Sequence, residues 1–194
     1  IKMKNNKKIS YECILNLNKD LESIFLTFDQ NTRNLIRRSS EIWSNKFYDK
    51  DSQNLKSAWL KFKKMHYKIS GRKTRSEKSW HLQYEAIKNN NGLLILINDL
   101  QNNLIGGGFF FIGEHDTFYS VGVFDRSLFN KPVGYNMQYE AIKHFIKKNK
   151  KIYRVGKLFS INDIPKPSQK QINISNFSKK FSSEVIMSVS YIIK

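Results

Sequence analysis

The stretch LLILINDLQNNLIGGGFFFIGEHDTFYSVGVFD, residues 93–125, sets three apolar runs in a row with polar turns between them. Leu93–Ile97 is continuously apolar, the pattern of a strand covered on both faces. NDLQNN reads as a turn, Leu104–Gly113 as a second strand and Thr117–Asp125 as a third. Connections this short predict antiparallel neighbours. Gly106, Gly107 and Gly108 stand together at the start of the second strand. Glycine there permits a bulge, a close approach of another group, or a tight, twisted turn after Asn102 and Asn103.

Working outward, residues 1–8 (IKMKNNKK) read as a flexible basic end, and ISYECILNL (9–17) as a strand. Asn18 or Asp20 caps one helix in which Leu21, Ile24, Phe25, Phe28 and Leu35 recur at helical spacing. A short strand near 41–49 precedes an amphipathic helix carrying Leu55, Trp59, Phe62 and Met65 on one face. SGRKTRSEK (70–78) reads as a loop, and EKSWHLQYEAIKNNNG as a helix with Gly92 as its C-cap. Beyond the three central strands come a loop (126–136), a helix (137–150) with Met137, Ala141 and Phe145 on one stripe, and a strand (151–158). A polar stretch with Pro165 and Pro167 leads to a last strand, in which Val185, Met187, Val189 and Tyr191 alternate with their neighbours. QYEAIK occurs at 83–88 and again at 138–143, but the flanks differ, so these are two helices of similar composition and not a duplication. The order predicts an α/β (α+β) fold over residues 9–194, one mixed, largely antiparallel sheet flanked by helices.

Composition narrows the function. With 40% hydrophobic and 13% aromatic residues among 194, the chain can bury a core. No apolar run approaches the ~20 residues that a membrane helix needs. Cys13 is the only cysteine, which excludes an intramolecular disulfide; in its apolar run it reads as a buried thiol, in keeping with a reducing, cytoplasmic setting. The chain begins at Ile1, not Met, so its natural start is expected upstream, in a leader or a further module. A net charge of +18 invites a polyanion: RNA, a nucleotide-linked sugar or, peripherally, a membrane surface. The abundance of Lys, Asn and Ile has a second source in AT-rich coding. His66, His81, His115 and His144 have no metal-ligand spacing, and no metal is expected. Gly-x-Ser-x-Gly, phosphate-binding-loop and dinucleotide-binding patterns are absent from the sequence.

The third strand leads through a loop and a helix into the strand KIYRVG, expected to run parallel to it. Ligands of open sheets bind at the carboxyl ends of such strands, beside helix N-termini. This arrangement resembles the GNAT acyltransferase superfamily, in which a hairpin is followed by a bulged strand and a helix N-terminus receives the donor's pyrophosphate. Several segments in order resemble one branch of it, the Fem family of peptidoglycan-bridge aminoacyltransferases. They are ILNLNKDLESIFLTFDQNTRNLIRRSSE, GRKTRSEKSWHLQYEAI, YSVGVFDRSLFNKPVGYNMQYEAIKHFIKKNKKIYRVGKL and ISNFSKKFSSEVIMSVSYII. The Fem enzymes usually hold two such modules, so this chain is expected to be a single module, the C-terminal one of a longer protein. In the family's closing Phe-Lys-x-x-Phe-Gly pattern Phe177 and Phe181 match, but Ser178 replaces Lys and Ser182 replaces Gly. Arg154-Val155-Gly156 replaces an acidic strand end, inverting the local charge.

The resemblance implies amide formation on an amine of a cell-envelope precursor, a peptidoglycan stem or an amino sugar on a nucleotide or lipid carrier. No permanently bound cofactor is expected; the donor is aminoacyl-tRNA or acyl-CoA. NKPVGYN has one glycine and makes a poor coenzyme A loop, whereas +18 suits tRNA. A basic RNA- or envelope-binding module without turnover is the non-enzymatic alternative. Asp125, at a strand end, is the candidate to orient or deprotonate the amine, or else caps the loop; Tyr119 joins it as a catalytic candidate, or else packs in the core. Arg33 and Arg37 share a helical face and either grip an anionic substrate or face solvent. Arg72, with Arg75 beyond Thr74, either holds an anion or belongs to an ordinary basic loop; Tyr135 and Tyr139 are further substrate candidates. Lys131 in the loop and Lys179 beside the missing motif lysine are expected at the donor.

Overall fold

A computed structural model of the chain describes residues 7–191. One seven-stranded sheet runs in the order β2-β3-β4-β5-β6-β1-β7. Its strands are β1 (Lys7–Asn16), β2 (Ser44–Tyr48), β3 (Gly92–Asn98), β4 (Leu104–Ile112), β5 (Asp116–Phe124), β6 (Ile152–Leu158) and β7 (Glu184–Tyr191). The helices are α1 (Leu21–Thr27), α2 (Gln30–Ile42), α3 (Leu55–Ser70), α4 (Glu77–Lys88), α5 (Tyr135–Lys147) and α6 (Gln169–Lys179). Every neighbouring pair of strands is antiparallel except β5 and β6, which are parallel. Of the basic end expected over residues 1–8, residues 1–6 lie outside the described residues, and Lys7 and Lys8 already belong to β1. Residues 192–194 also lie outside them. Among the described residues no helix is long and apolar enough to cross a membrane.

Helices cover both faces, which is why β3 is buried at every position and apolar from Leu93 to Ile97. Leu93, Ile95 and Ile97 join the core formed with Ile24 of α1, Phe28 just beyond it, Ile36 of α2, and Met137 and Phe145 of α5. Leu94 and Leu96 point the other way and meet Trp59, Phe62 and Trp80 of α3 and α4. The strand period of two thus divides one run between two cores. Cys13 is fully buried in the first, and burial raises its thiol pKa, as suits a structural thiol.

Four expectations change. The single helix over Leu21–Leu35 is two, because Asp29 starts α2 afresh: its carboxylate accepts from the Thr32 N–H at 2.8 Å and the Thr32 hydroxyl at 2.7 Å. Phe28, at the break, drops into the core beside Phe181. Gly92 is not a C-cap but the first residue of β3; Asn89 caps α4, and Asn90 takes the positive φ. The polar stretch after β6 contains the helix α6, announced by a capping box of Ser168 and Gln171. Its inward face is serine: Ser175 Oγ accepts the Phe159 N–H at 2.8 Å, and Ser178 is buried against Gly156. Finally, the glycine triplet does not form a turn. Gly106, Gly107 and Gly108 lie inside β4, paired with β3 on one side and β5 on the other.

Asp20, Asp29, Asp99 and Asp125 each accept hydrogen bonds from nearby backbone and side-chain donors that hold their pKa values below the ordinary range. A carboxyl with a lower pKa in the folded state binds fewer protons there than in the unfolded chain. Its stabilisation is present above the unfolded pKa and is lost as pH falls through the folded one. The melting temperature is therefore expected to be flat above pH ~5 and to fall between pH ~4 and ~3. Asp29→Ala should remove part of that slope and cost about 1 kcal/mol, while Asp29→Asn keeps most of the cap. Melting curves across that range check both.

Candidate functional site

β5 and β6 are bonded only where Asp116, Thr117 and Phe118 face Ile152, Tyr153 and Arg154. Both strands continue, β5 to Phe124 and β6 to Leu158, but not as partners. β6 turns to β1, and a wedge opens between the two parallel strands. At its apex β5 bulges: Phe109 faces Val121 and Phe110 faces Tyr119, leaving Ser120 as the extra residue. The Arg75 guanidinium donates to the Ser120 carbonyl at 3.2 Å and so pins the bulge from the α3–α4 side. Partial burial lowers the pKa of Arg75.

The backbone of β5 supplies donors to this wedge. Asp125 gives its N–H to the Ile105 carbonyl at 2.8 Å. Bonded and non-bonded pairs alternate in an antiparallel ladder. With Gly106 opposite Phe124 and Gly108 opposite Gly122, the N–H and C=O groups of Gly122 and Phe124 therefore turn away from β4 and toward the wedge. Gly122 is exposed. A Cβ built on it would lie 1.8 Å from the Tyr119 hydroxyl, so the phenol reaches its place only because residue 122 has no side chain. Gly108 gives the same ring room from the next strand, with Met137 of α5 closing over it. The Tyr119 hydroxyl has no hydrogen-bond partner among the described residues. Burial pushes its pKa far up, so it stands as a protonated donor at neutral pH. Behind it Tyr153, fully buried, donates to Gln138 Oε1.

α5, which links β5 to β6, begins at the mouth of the wedge. A diphosphate cradle needs a run of free amides, and here the run is broken. Pro132 has no N–H, Val133 donates to the Lys131 carbonyl at 2.8 Å, and Asn136 donates to Ser39 Oγ at 3.1 Å. This last bond is buried and ties α5 to α2. Ser39→Ala should cost about 1 kcal/mol, read as a lower melting temperature.

The other expected residues are engaged with other partners in the fold. Asp125 caps a 3-10 turn (Arg126–Leu128), accepting from the Ser127 N–H at 3.0 Å and the Ser127 hydroxyl at 2.8 Å. Arg33 donates to the carbonyls of Leu26 and Phe28 and so caps the end of α1. Arg37 lies over the Phe25 ring at 5.3 Å, and Phe25 packs on Tyr139 at 5.1 Å; these form one group on the α1–α2–α5 layer. Tyr135 packs against Phe177 and Phe181. Lys131 stands over the Trp43 ring at 5.7 Å. Arg72 is exposed in the loop, and Lys179 lies in the last turn of α6. Of the expected residues, Tyr119 stands at the wedge. Arg75 and Gly122 join it there. A glycine inside a strand pattern is itself a signal of close approach, and Gly122 carried it.

The same architecture occurs in solved structures. FemX superposes with a TM-score of 0.66 over 92% of this chain and 59% of its own, at 11% identity. The chain has the GNAT fold of FemX. The C-terminal domain of a protein described as lysylphosphatidylglycerol synthetase, from Agrobacterium fabrum, gives 0.68 over 95% of this chain and 61% of its own, at 8% identity. An aminoglycoside acetyltransferase from a soil metagenome, solved with sisomicin, gives 0.54 over 80% and 99%, at 11% identity. The chain spans less than two thirds of FemX and of the Agrobacterium domain. No family model and no curated protein matches it.

Within this FemX-like frame the departures acquire physical reasons. Ser178 is 2% exposed and packs on Gly156, whose Cβ would meet its Oγ at 2.9 Å. A lysine there would have to give up its hydration. The inverted charge at Arg154 is neutralised: Nε meets Asp116 and a terminal nitrogen meets Glu12, each at 2.8 Å.

Proposed function

We propose that this chain is a Fem-like N-acyl or aminoacyl transferase that forms an amide on an amine of a cell-envelope precursor, a peptidoglycan stem or an amino sugar. The observation that carries it is the bulged, half-opened β5–β6 pair, with backbone amides and the unbonded Tyr119 hydroxyl facing one space. The amine nitrogen attacks the carbonyl carbon of an activated ester, a C–N bond forms and the ester C–O bond breaks. A β5 amide from Gly122 or Phe124 takes the developing oxyanion. Tyr119 gives its proton to the departing oxygen and is reprotonated, through solvent, by the proton that the attacking amine releases. Asp125 in this reading serves the loop, since its carboxylate is committed to Ser127. No covalent enzyme intermediate is required.

Aminoacyl-tRNA is the donor favoured by this reading. The broken run of amides before α5 gives coenzyme A's diphosphate little to hold, while a strongly basic chain suits RNA phosphates. Both the donor and the nucleotide-linked acceptor are cytoplasmic molecules, so the cytoplasm is the proposed place of work. The acetyltransferase likeness supports a second reading, acyl-CoA acting on an amino sugar. A thermal-shift panel with bulk tRNA, UDP-linked muramyl pentapeptide, UDP-amino sugars and acetyl-CoA, followed by transfer assays on whatever binds, separates the two. A shift with tRNA or the muramyl precursor and none with acetyl-CoA is expected. A shift with acetyl-CoA alone overturns the donor assignment.

A further inference from the structure

The net charge of +18 is not spread evenly. Between Leu55 and Lys88, the span of α3, its following loop and α4, there are ten Lys or Arg and two Glu, a net of +8. The helices on the opposite face, residues 21–42 and 135–147, hold five Lys or Arg and four Asp or Glu, a net of +1. The sheet separates these two layers, because α3 and α4 pack on Leu94, Leu96 and Phe109 while α1, α2 and α5 pack on the other core. In the basic layer the two glutamates are already engaged, Glu77 with Lys63 and Glu85 with Lys88. The remaining eight cations have no carboxylate partner among the described residues.

Apolar side chains are set among these charges. Leu60 on α3 is 54% exposed and Leu82 on α4 is 57% exposed, both turned away from the sheet. Leu60 lies with Lys56, Lys61 and Lys64 in a shallow trough of about 510 Å³ along α3. Of the aromatic residues of this layer that could stack on unpaired bases, Trp59 and Trp80 are buried, and Tyr67 and Tyr84 are half-buried with Lys63 and Lys88 over their rings at 5.7 and 5.8 Å. Eight of the ten cations are lysines, whose long apolar stems let the ammonium reach an anionic surface while neighbouring leucines lie against it. Lysines around exposed leucines, with the two tyrosine rings already covered by lysines, match anionic headgroups above a shallow apolar layer.

We propose that the outer face of α3 and α4 is a docking surface for an anionic bilayer. The loop that carries Arg75 to the bulge belongs to the same layer, so docking would bring the wedge close to the membrane. The surface is independent of the transferase reading, since its test measures partition and not turnover.

The test is co-sedimentation of the full chain with phosphatidylcholine vesicles, with and without ~30% phosphatidylglycerol, at ~50 and ~500 mM salt. Binding to the anionic vesicles at low salt, its loss at high salt and no binding to the neutral vesicles are expected. Lys56→Gln, Lys61→Gln and Lys64→Gln together should weaken binding roughly a hundredfold. The three Lys→Arg changes should leave it intact, and Leu60→Ser with Leu82→Ser should weaken it about tenfold. Arg38→Gln on the opposite layer should change nothing. Melting curves like the wild type's establish that each variant is folded. Equal binding to neutral vesicles, no binding at low salt, or a folded triple Gln variant that still binds overturns the proposal. So does a triple variant that loses salt-sensitive tRNA binding but keeps vesicle binding, which would make the face a nucleic-acid surface.

Discussion

Gly107→Val is expected to lower the melting temperature by about 10 °C or to prevent folding. Gly107 is the third buried position of β4, a central strand. A Cβ there would lie 2.7 Å from the Ile95 carbonyl oxygen and 3.3 Å from the Phe62 ring. The first of these is backbone, so no rotamer change relieves it, and the branched valine adds two methyl groups to the same space. Moving β3 away from β4 would break the ladder beneath both cores. Overpacking of this kind costs about 3 kcal/mol or more, and each kcal/mol is worth about 2–4 °C in a domain of this size. Differential scanning calorimetry of the variant decides it. Melting like the wild type's would show that β4 can shift, and would remove the close approach as the reason for glycine.

Tyr119→Phe is expected to leave the fold intact and to lower kcat for transfer about a hundredfold, with KM nearly unchanged. The hydroxyl has no partner among the described residues, so its removal breaks no bond of the folded chain. The ring stays, held by Phe110 at 5.1 Å and by Met137 across Gly108. Gly122→Ala is the companion variant. Its methyl group would occupy the space of the Tyr119 oxygen, so the phenol must move while its acidity group remains. It should reproduce the loss in kcat with a modest loss of stability. Transfer kinetics together with melting curves separate the two effects. A Phe variant with the wild-type kcat would take Tyr119 out of the chemistry and leave Gly122 a packing residue only.

Much of the fold was legible because the relevant physics is local. The run Leu93–Ile97 announces burial on two sides, and the short turns at 98–103 and 113–115 force antiparallel neighbours. The long connection from Phe124 to Ile152 permits the one parallel pair. Sequence and structure part where two local signals compete. Helical spacing of Phe28 and Leu35 concealed the restart at Asp29, although Asp29 and Thr32 form a recognisable cap. α6 was concealed by its composition: its buried face uses Ser175 and Ser178, which bind β6 by hydrogen bonds and close contact and not by apolar area. The three glycines were visible as a group, but their neighbours on β3, β5, α3 and α5 were not.

The candidate site was less legible for the same reason. Arg33 and Arg37 do share a face, yet Arg33 turns back to α1 and Arg37 stacks on Phe25, because a guanidinium takes the acceptors and rings that the tertiary fold brings near. Sequence by itself determined the element order, the mixed sheet, the division of each apolar strand between two faces and the total charge, all of which follow from side-chain period, turn length and composition. Only the tertiary structure decided where β5 leaves β6, which amides and which hydroxyl face that opening, and that the basic residues gather on one layer. Those outcomes depend on strand register and on which helix covers which face of the sheet, and both are set by contacts between residues far apart in the chain.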